Sequence, residues 1–302
     1  MKLSVVVPCY NEVANVSEFE SELSKTLLKE KITYEIIFID DGSTDDTYSK
    51  LSSLNKANKN VKVIRFSRNF GKESAMLAGL KNASGSYVAI MDADLQHTPE
   101  MLILMYKKLI NDYSFDCCCA YKSNREDEGS LKRTLTSLFY KINNKISDVK
   151  LLPGASDFRV FKKSVCDAIT SLDEKTRFLK GMFSWVGFNT IYVPYIPEKR
   201  MYGTSKWSLF KLLKYSLGGI ISFSTKPIKS VFIIGVLALI VGSLNFILIG
   251  NLSNRTIILF ISLIMLSIGI ISLYVSRIYS NILNRPCYII KEKLGFNDKS
   301  SK

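Results

Sequence analysis

Two carboxylates, Asp92 and Asp94, stand two residues apart, with an amide at Gln96 and an apolar run over 87–91 before them. On an extended strand, positions i, i+2 and i+4 share a face. The spacing therefore predicts that these side chains point the same way at a strand's end. A donor set made only of oxygen suits a hard divalent cation, Mg²⁺ or Mn²⁺, and such a cation would serve a substrate carrying a diphosphate. The same stretch runs into Thr98-Pro99-Glu100, a good helix start, so helix capping is the competing reading. His97 is the only histidine. It lies beside the acidic pair and reads as structural rather than as a catalyst or ligand.

The elements that must position this pair follow from the apolar runs. Residues 3–8 break at Pro8-Cys9-Tyr10-Asn11-Glu12, and a helical stretch follows to about Lys29. A second run, 35–39, ends in Asp40-Asp41-Gly42-Ser43-Thr44-Asp45. A third, 61–66, leads to Asn69-Phe70-Gly71-Lys72 and a helix over 73–81, and the fourth ends in the acidic pair. Apolar strands alternating with helices predict a parallel sheet covered on both faces. In such sheets ligands bind outside the carboxyl ends of the strands, and all four special sequences sit there. Cys117–Cys119 read as a buried strand. Further on, 130–146 reads as helix, 157–161 as a short strand, 176–186 as helix and 190–193 as extended. Leu209, Leu212, Leu213, Leu217 and Ile220 share one helical face over 208–223, with Lys211 and Lys214 beside it. That pattern suits a helix in the membrane interface or one packed on the protein's own domain.

Composition adds a membrane. The chain of 302 residues is 47% hydrophobic, and the excess is local: 231–250 and 256–276 carry no charge. Each is long enough to span a bilayer, which takes roughly 20 residues. Only Asn251 to Arg255 separate them, so a tight hairpin is expected. The net charge is +14, and it brackets the spans. Seven basic residues and no acidic one lie from Lys199 to Lys229, and more follow Arg277. This placement puts both ends in the cytoplasm and the short loop outside, and it favours anionic lipid over nucleic acid. Met1-Lys2-Leu3-Ser4 runs directly into a strand, so no cleaved leader is expected. The six cysteines show no metal-ligand spacing and are expected to be reduced.

Together these pieces resemble the family 2 glycosyltransferases, most closely the subgroup holding dolichol-phosphate mannose synthase and the bacterial bactoprenol glucosyltransferases. The matching stretches run in order: 5–12, 40–45, 69–72, 92–96, Asp157-Phe158-Arg159, 177–181 and 200–206. The resemblance implies an α/β chain of GT-A fold, a nucleotide-binding Rossmann-like sheet followed by interfacial helices and a two-helix transmembrane hairpin. It implies a catalytic domain over 1–207, a juxtamembrane segment over 208–227, the hairpin over 228–276 and a basic tail over 277–302. The activity implied is inverting transfer of one sugar, glucose or N-acetylglucosamine, from a UDP-sugar to polyprenyl phosphate at the inner face of the cell membrane. Arg177-Phe178-Leu179 replaces the Gln-x-x-Arg-Trp motif of processive synthases, which favours single transfer.

By the same likeness, Asp92, Asp94 and Gln96 hold the metal and diphosphate, with Asp94 preferred for direct ligation. Pro8, Tyr10, Glu12, Asp41, Gly71 and Lys72 join Asp92 in holding the donor. Asp45 could hold donor or merely cap a helix. Asp157 is a catalytic candidate, although an ionised lipid phosphate needs no base, its second pKa being near 6. Lys122, Arg125, Arg133, Arg177, Arg200 and Lys206 are candidates for gripping the acceptor phosphate. Arg177 could instead pair with Glu174 or Asp173. A flippase, a downstream glycosyltransferase and a second copy of the chain are further expected partners. The competing functions are transfer to a lipid hydroxyl, such as diacylglycerol, and a non-catalytic scaffold that binds nucleotide sugar.

Overall fold

The computed structural model describes residues 2–123, 130–196, 217–249 and 254–296. Strands and helices alternate through the first half: β1 Lys2–Cys9, α1 Val16–Lys29, β2 Thr33–Asp40, α2 Thr47–Ala57, β3 Val61–Phe66, α3 Lys72–Asn82, β4 Tyr87–Ile90 and α4 Pro99–Asn111. Then come β5 Cys117–Lys122, α5 Ser130–Ile146, β6 Ala155–Lys162, α6 Lys163–Ser171, α7 Leu179–Trp185 and β7 Thr190–Tyr195. Two long helices, α8 Lys226–Ile249 and α9 Asn254–Ile282, precede a last strand, β8 Ile290–Leu294.

Eight strands form one sheet in the order β7-β5-β6-β4-β1-β2-β3-β8. The expected parallel core is present: β1 pairs in parallel with β2 and with β4, and β2 with β3. The order reverses at β1, whose neighbours are β2 and β4. This is the switch point where open α/β sheets leave a crevice for ligand. Beyond β4 the sheet is mixed, because β6 runs antiparallel to both β4 and β5. Alternate residues of each core strand feed opposite faces. Val5, Val7 and Phe38 pack with Phe19 and Leu23 of α1 on one side. Val6, Ile37 and Ile39 pack under α3 on the other. Burial on both faces explains why these strands are continuous apolar runs. Helix α3 lies so close that a Cβ on Gly79 would sit 2.2 Å from Val6 Cγ1.

Several expected boundaries change. Strand β4 stops at Ile90, so the acidic pair lies in the turn before α4 rather than on the strand. Leu95 takes a positive φ of 56° there, and turn geometry replaces strand alternation in aiming Asp92, Asp94 and Gln96. The capping reading also holds: Thr98 accepts the Met101 N–H and Pro99 opens α4. The helix expected over 176–186 begins only at Leu179. Of the segment 208–223, residues 208–216 lie outside the described residues, and 217–222 are helical. Phe223 is buried against Phe178, with ring centroids 6.3 Å apart, so this end of the segment packs on the protein's own domain.

Helices α8 and α9 each contain a stretch long and apolar enough to cross a membrane, Lys226–Leu244 and Ile257–Ile282. They form an antiparallel pair, and a Cβ on Gly242 would stand 3.2 Å from the Phe260 ring. The chain beyond them, expected to be a tail, returns to the sheet. There β8 pairs antiparallel with β3, and Tyr288 stacks on Phe66 at 5.0 Å.

Candidate active site at the carboxyl ends of the strands

The first three strand ends are tied into one platform. Asp41, just past β2, accepts the backbone N–H of Phe70 at 2.7 Å and of Gly71 at 2.9 Å. Burial pushes its carboxyl up to about 6, against the pull of those two amides. Gly42 has φ +67°, and a Cβ there would lie 2.3 Å from the Arg68 carbonyl carbon, so only glycine lets the 68–71 loop cross. Asn11 binds across to the β2 loop: its N–H donates to Ser43 Oγ at 3.0 Å, and its Oδ1 accepts the Thr44 N–H at 2.9 Å. The Glu12 N–H donates to Thr47 Oγ1 at 2.9 Å, and its carboxylate accepts from Asn15 Nδ2 at 2.6 Å. Pro8 sits within β1 opposite Ile39, and Tyr10 follows the strand half-buried. Asp45 accepts the N–H of Thr47 at 3.0 Å in the turn that leads into α2, whose N-cap position is Asp46. The structure thus brings Pro8, Tyr10, Glu12, Asp41 and Gly71 to one rim.

The acidic centre lies beside that rim. Lys72, the first residue of α3, places its ammonium 2.7 Å from Asp92 and 3.2 Å from Asp157 of β6. Burial works against the charge of Lys72, but the two carboxylates outweigh it and raise its pKa well above the usual lysine range. Burial likewise works against Asp157, but Lys180 at 4.0 Å, Lys72 and Arg159 hold its carboxyl well below the usual range. Asp94 accepts the Gln96 N–H at 3.2 Å, which folds the turn back on itself. His97 is buried behind the site. Its ring stacks on Phe158 at 4.6 Å, and Nε2 lies 3.0 Å from Tyr195 Oη and 3.3 Å from Ser156 Oγ. That is the structural role the sequence suggested.

Asp92, Asp94 and Gln96 lie within the one turn after β4, and as oxygen donors they suit a hard divalent cation. Among the described residues no group of three or more His, Cys, Asp and Glu could hold a metal ion.

The acceptor candidates disperse. Lys122 ends β5 half-buried, and Arg133 is exposed on α5. Arg177 turns inward: it donates to the carbonyls of Leu172 and Ile169, both at 2.8 Å, and so closes the C-terminal end of α6. Glu174 pairs with Arg277 instead, at 3.7 Å. Two of its nitrogens are thereby committed to backbone, while its buried Nε has no hydrogen-bond partner among the described residues. Arg125, Arg200 and Lys206 lie outside the described residues. Lys180 was missed as a site residue, although it stands inside the 177–181 stretch and touches Asp157. Arg159, two residues beyond Asp157 and so on the same side of β6, was missed likewise.

Three comparisons bear on this geometry. Residues 4–170 match the family model described as glycosyl transferase family 2. A Shigella flexneri protein, SfII prophage-derived bactoprenol glucosyl transferase, is 37% identical and aligns over 97% of this chain and 98% of its own. Bacillus subtilis (strain 168) CsbB, whose assignment as a glycosyltransferase is itself provisional, is 38% identical over 96% of this chain and 91% of its own. Among solved structures, glucosyl-3-phosphoglycerate synthase from Mycobacterium tuberculosis, in complex with Mn²⁺, uridine diphosphate and phosphoglyceric acid, superposes with a TM-score of 0.50. It shares 18% identity, with 73% of this chain and 76% of that one covered.

Proposed function

We propose, from the premise that the chain belongs to glycosyl transferase family 2 and has the GT-A fold, that it moves one sugar from a UDP-sugar to polyprenyl phosphate at the inner face of the cell membrane. The observation that carries the reading is the centre made by Asp92, Lys72 and Asp157, set at the strand ends beside Asp94 and Gln96. The full-length likeness to a bactoprenol glucosyl transferase and the two helices fit to cross a membrane support the acceptor.

The nucleoside diphosphate would lie over the rim of Pro8, Tyr10, Glu12, Asp41 and Gly71. Mg²⁺ or Mn²⁺ held by Asp92, Asp94 and Gln96 would neutralise charge on the diphosphate as it leaves. An acceptor phosphate oxygen attacks the anomeric carbon from the face opposite the leaving group. The new C–O bond forms as the bond to the diphosphate breaks, the electron pair goes to the diphosphate, and the configuration inverts. No proton must be removed from an ionised phosphate. This agrees with Asp157, which Lys180 and Lys72 hold as a weakly basic carboxylate that orients rather than abstracts. Lys122 and Arg133, with Arg125, Arg200 and Lys206, remain the acceptor-side cations of this reading. Glucose is the preferred sugar on the relatives' name, with N-acetylglucosamine behind it.

The test is transfer of label from UDP-glucose and UDP-N-acetylglucosamine to undecaprenyl phosphate in vesicles with Mg²⁺ or Mn²⁺. Labelled lipid should form with the wild type and be lost with Asp94→Ala. Absence of product from every common donor would refute the reading, and transfer to diacylglycerol abolished by Asp157→Asn would replace it with the lipid-hydroxyl enzyme.

A further inference from the structure

We propose that a cavity behind Asp157 binds a phosphate group. The cavity has a volume of about 270 Å³ and lies between β6, α7, β7 and the segment after α5. Arg159, Lys180 and Lys150 line it, and among the described lining residues there is no Asp or Glu. None of Lys122, Arg133 and Arg177 is among those residues.

Arg159 is the informative one. It stands on an inner strand and is only 5% exposed. Its guanidinium lies 4.4 Å from the ring centroid of Phe183, and its Nε donates to the Ser156 carbonyl at 3.3 Å. No carboxylate among the described residues forms an ion pair with it. The acid two residues away, Asp157, is already engaged by Lys72 at 3.2 Å and Lys180 at 4.0 Å. Arg159, Lys180 and Lys72 all draw on the single carboxylate of Asp157, and with Lys150 at the rim they leave the cavity wall with an excess of positive charge that suits an anion. The planar guanidinium fork matches phosphate oxygens, and two ammonium groups supply point charges around it. A phosphate monoester carries roughly −1.5 to −2 charges at neutral pH, which such a set can neutralise.

Two sources offer this chemistry: the lipid acceptor's own phosphate, which rests on the function proposed above, and free phosphate, which does not. The experiment uses the full chain in nanodiscs, as wild type, Lys150→Ala and Arg159→Lys. The thermal midpoint is followed against inorganic phosphate, and KM is measured for donor and for a short-chain polyprenyl phosphate. Wild type should gain stability with phosphate, and each variant should need about tenfold more for half the effect, the worth of one charge-assisted hydrogen bond. The KM comparison is made on Lys150→Ala, which lies outside the Asp157 centre: if the lipid phosphate is the occupant, its acceptor KM rises by a similar factor while donor KM stays, and if free phosphate is, both KM values stay and the shift in midpoint alone is lost. Should Arg159→Lys lower the ligand-free midpoint, Lys150→Ala at the exposed rim carries the comparison. A wild type blind to phosphate, or variants that respond as it does, would overturn the proposal. A chain inactive on every lipid phosphate yet stabilised by inorganic phosphate loses the proposed function and keeps the cavity.

Discussion

Lys72 does more at this site than a loop lysine brushing a phosphate. Asp92 lies in the turn after β4 and Asp157 on β6, and the two would repel each other across the crevice. The Lys72 ammonium, 2.7 Å from one and 3.2 Å from the other, offsets that repulsion. Replacing it by methionine keeps the length of the side chain and removes the charge. We expect Lys72→Met to lower kcat about a hundredfold, the usual scale for losing one electrostatic contact at a reacting centre. Circular dichroism should show the fold intact, and an unchanged kcat would make Lys72 a bystander. Asp41 offers a test on stability. Its folded carboxyl titrates near 6 against an ordinary 3.8, so between those values the folded state holds the proton more tightly than the unfolded chain. The contribution is therefore present below the unfolded pKa and is lost as pH rises through about 6. Relative to Asp41→Asn, the wild type should lose stability across that interval, whatever constant offset the lost hydrogen bond adds. Urea midpoints at several pH values give the slope, and parallel slopes would show that Asp41 is not buried as described.

At the level of elements, the strand ends were legible because buried parallel strands are unbroken apolar runs, and their breaks at Glu12, Asp41, Gly71 and Asp92 are chemical. The acidic pair itself was legible by residue type, but its geometry was not. A period-two argument assumes a strand, and β4 had already ended at Ile90. Strand β8 was illegible for another reason. Ile290-Lys291-Glu292-Lys293-Leu294 carries three charges, as edge strands do to resist further pairing, and after two apolar helices such a segment reads as a basic tail. Lys180 and Arg159 were illegible for a third reason: only the packing of α7 against β6 brings both to Asp157, and sequence spacing does not show that packing. The return of the chain makes a prediction. Tyr288 stacks on Phe66, nearly parallel at 8°, and holds β8 against the edge of β3. Tyr288→Ala should destabilise the detergent-solubilised protein by about 2 kcal/mol, from lost aromatic burial and contact. A lower thermal midpoint with faster proteolysis after Cys287 is the expected result, and an unchanged midpoint would mean that β8 adds nothing to stability.

For the whole molecule, the contacts at the two ends of the helical hairpin constrain how it can sit in a membrane. At the start of α8, Lys226 Nζ donates to the Lys145 carbonyl at 3.0 Å. Near the end of α9, Tyr274 Oη donates to the Ser224 carbonyl at 2.7 Å, and Arg277 donates to the Thr176 carbonyl at 2.9 Å. Both ends thus meet the same sheet domain, so if the two helices cross a bilayer, the domain and both ends share one side of it and the intervening turn takes the other. Basic residues flank the shared side, which argues for the cytoplasm. Thiol labelling can decide. Five native cysteines are buried and only Cys287 is partly exposed, so a Cys287→Ser background should be nearly silent to an impermeant maleimide. In that background, Asn251→Cys should label in intact cells and Lys299→Cys only after permeabilisation. The reverse pattern would place the sheet outside, away from cytoplasmic nucleotide sugars, and the proposed reaction could not proceed as written. Labelling of both positions only after permeabilisation would mean that the helices lie along the membrane rather than across it. The expected pattern leaves the strand ends, the Asp157 centre and the phosphate cavity all on the cytoplasmic side, where a lipid phosphate at the membrane surface and a soluble nucleotide sugar can meet.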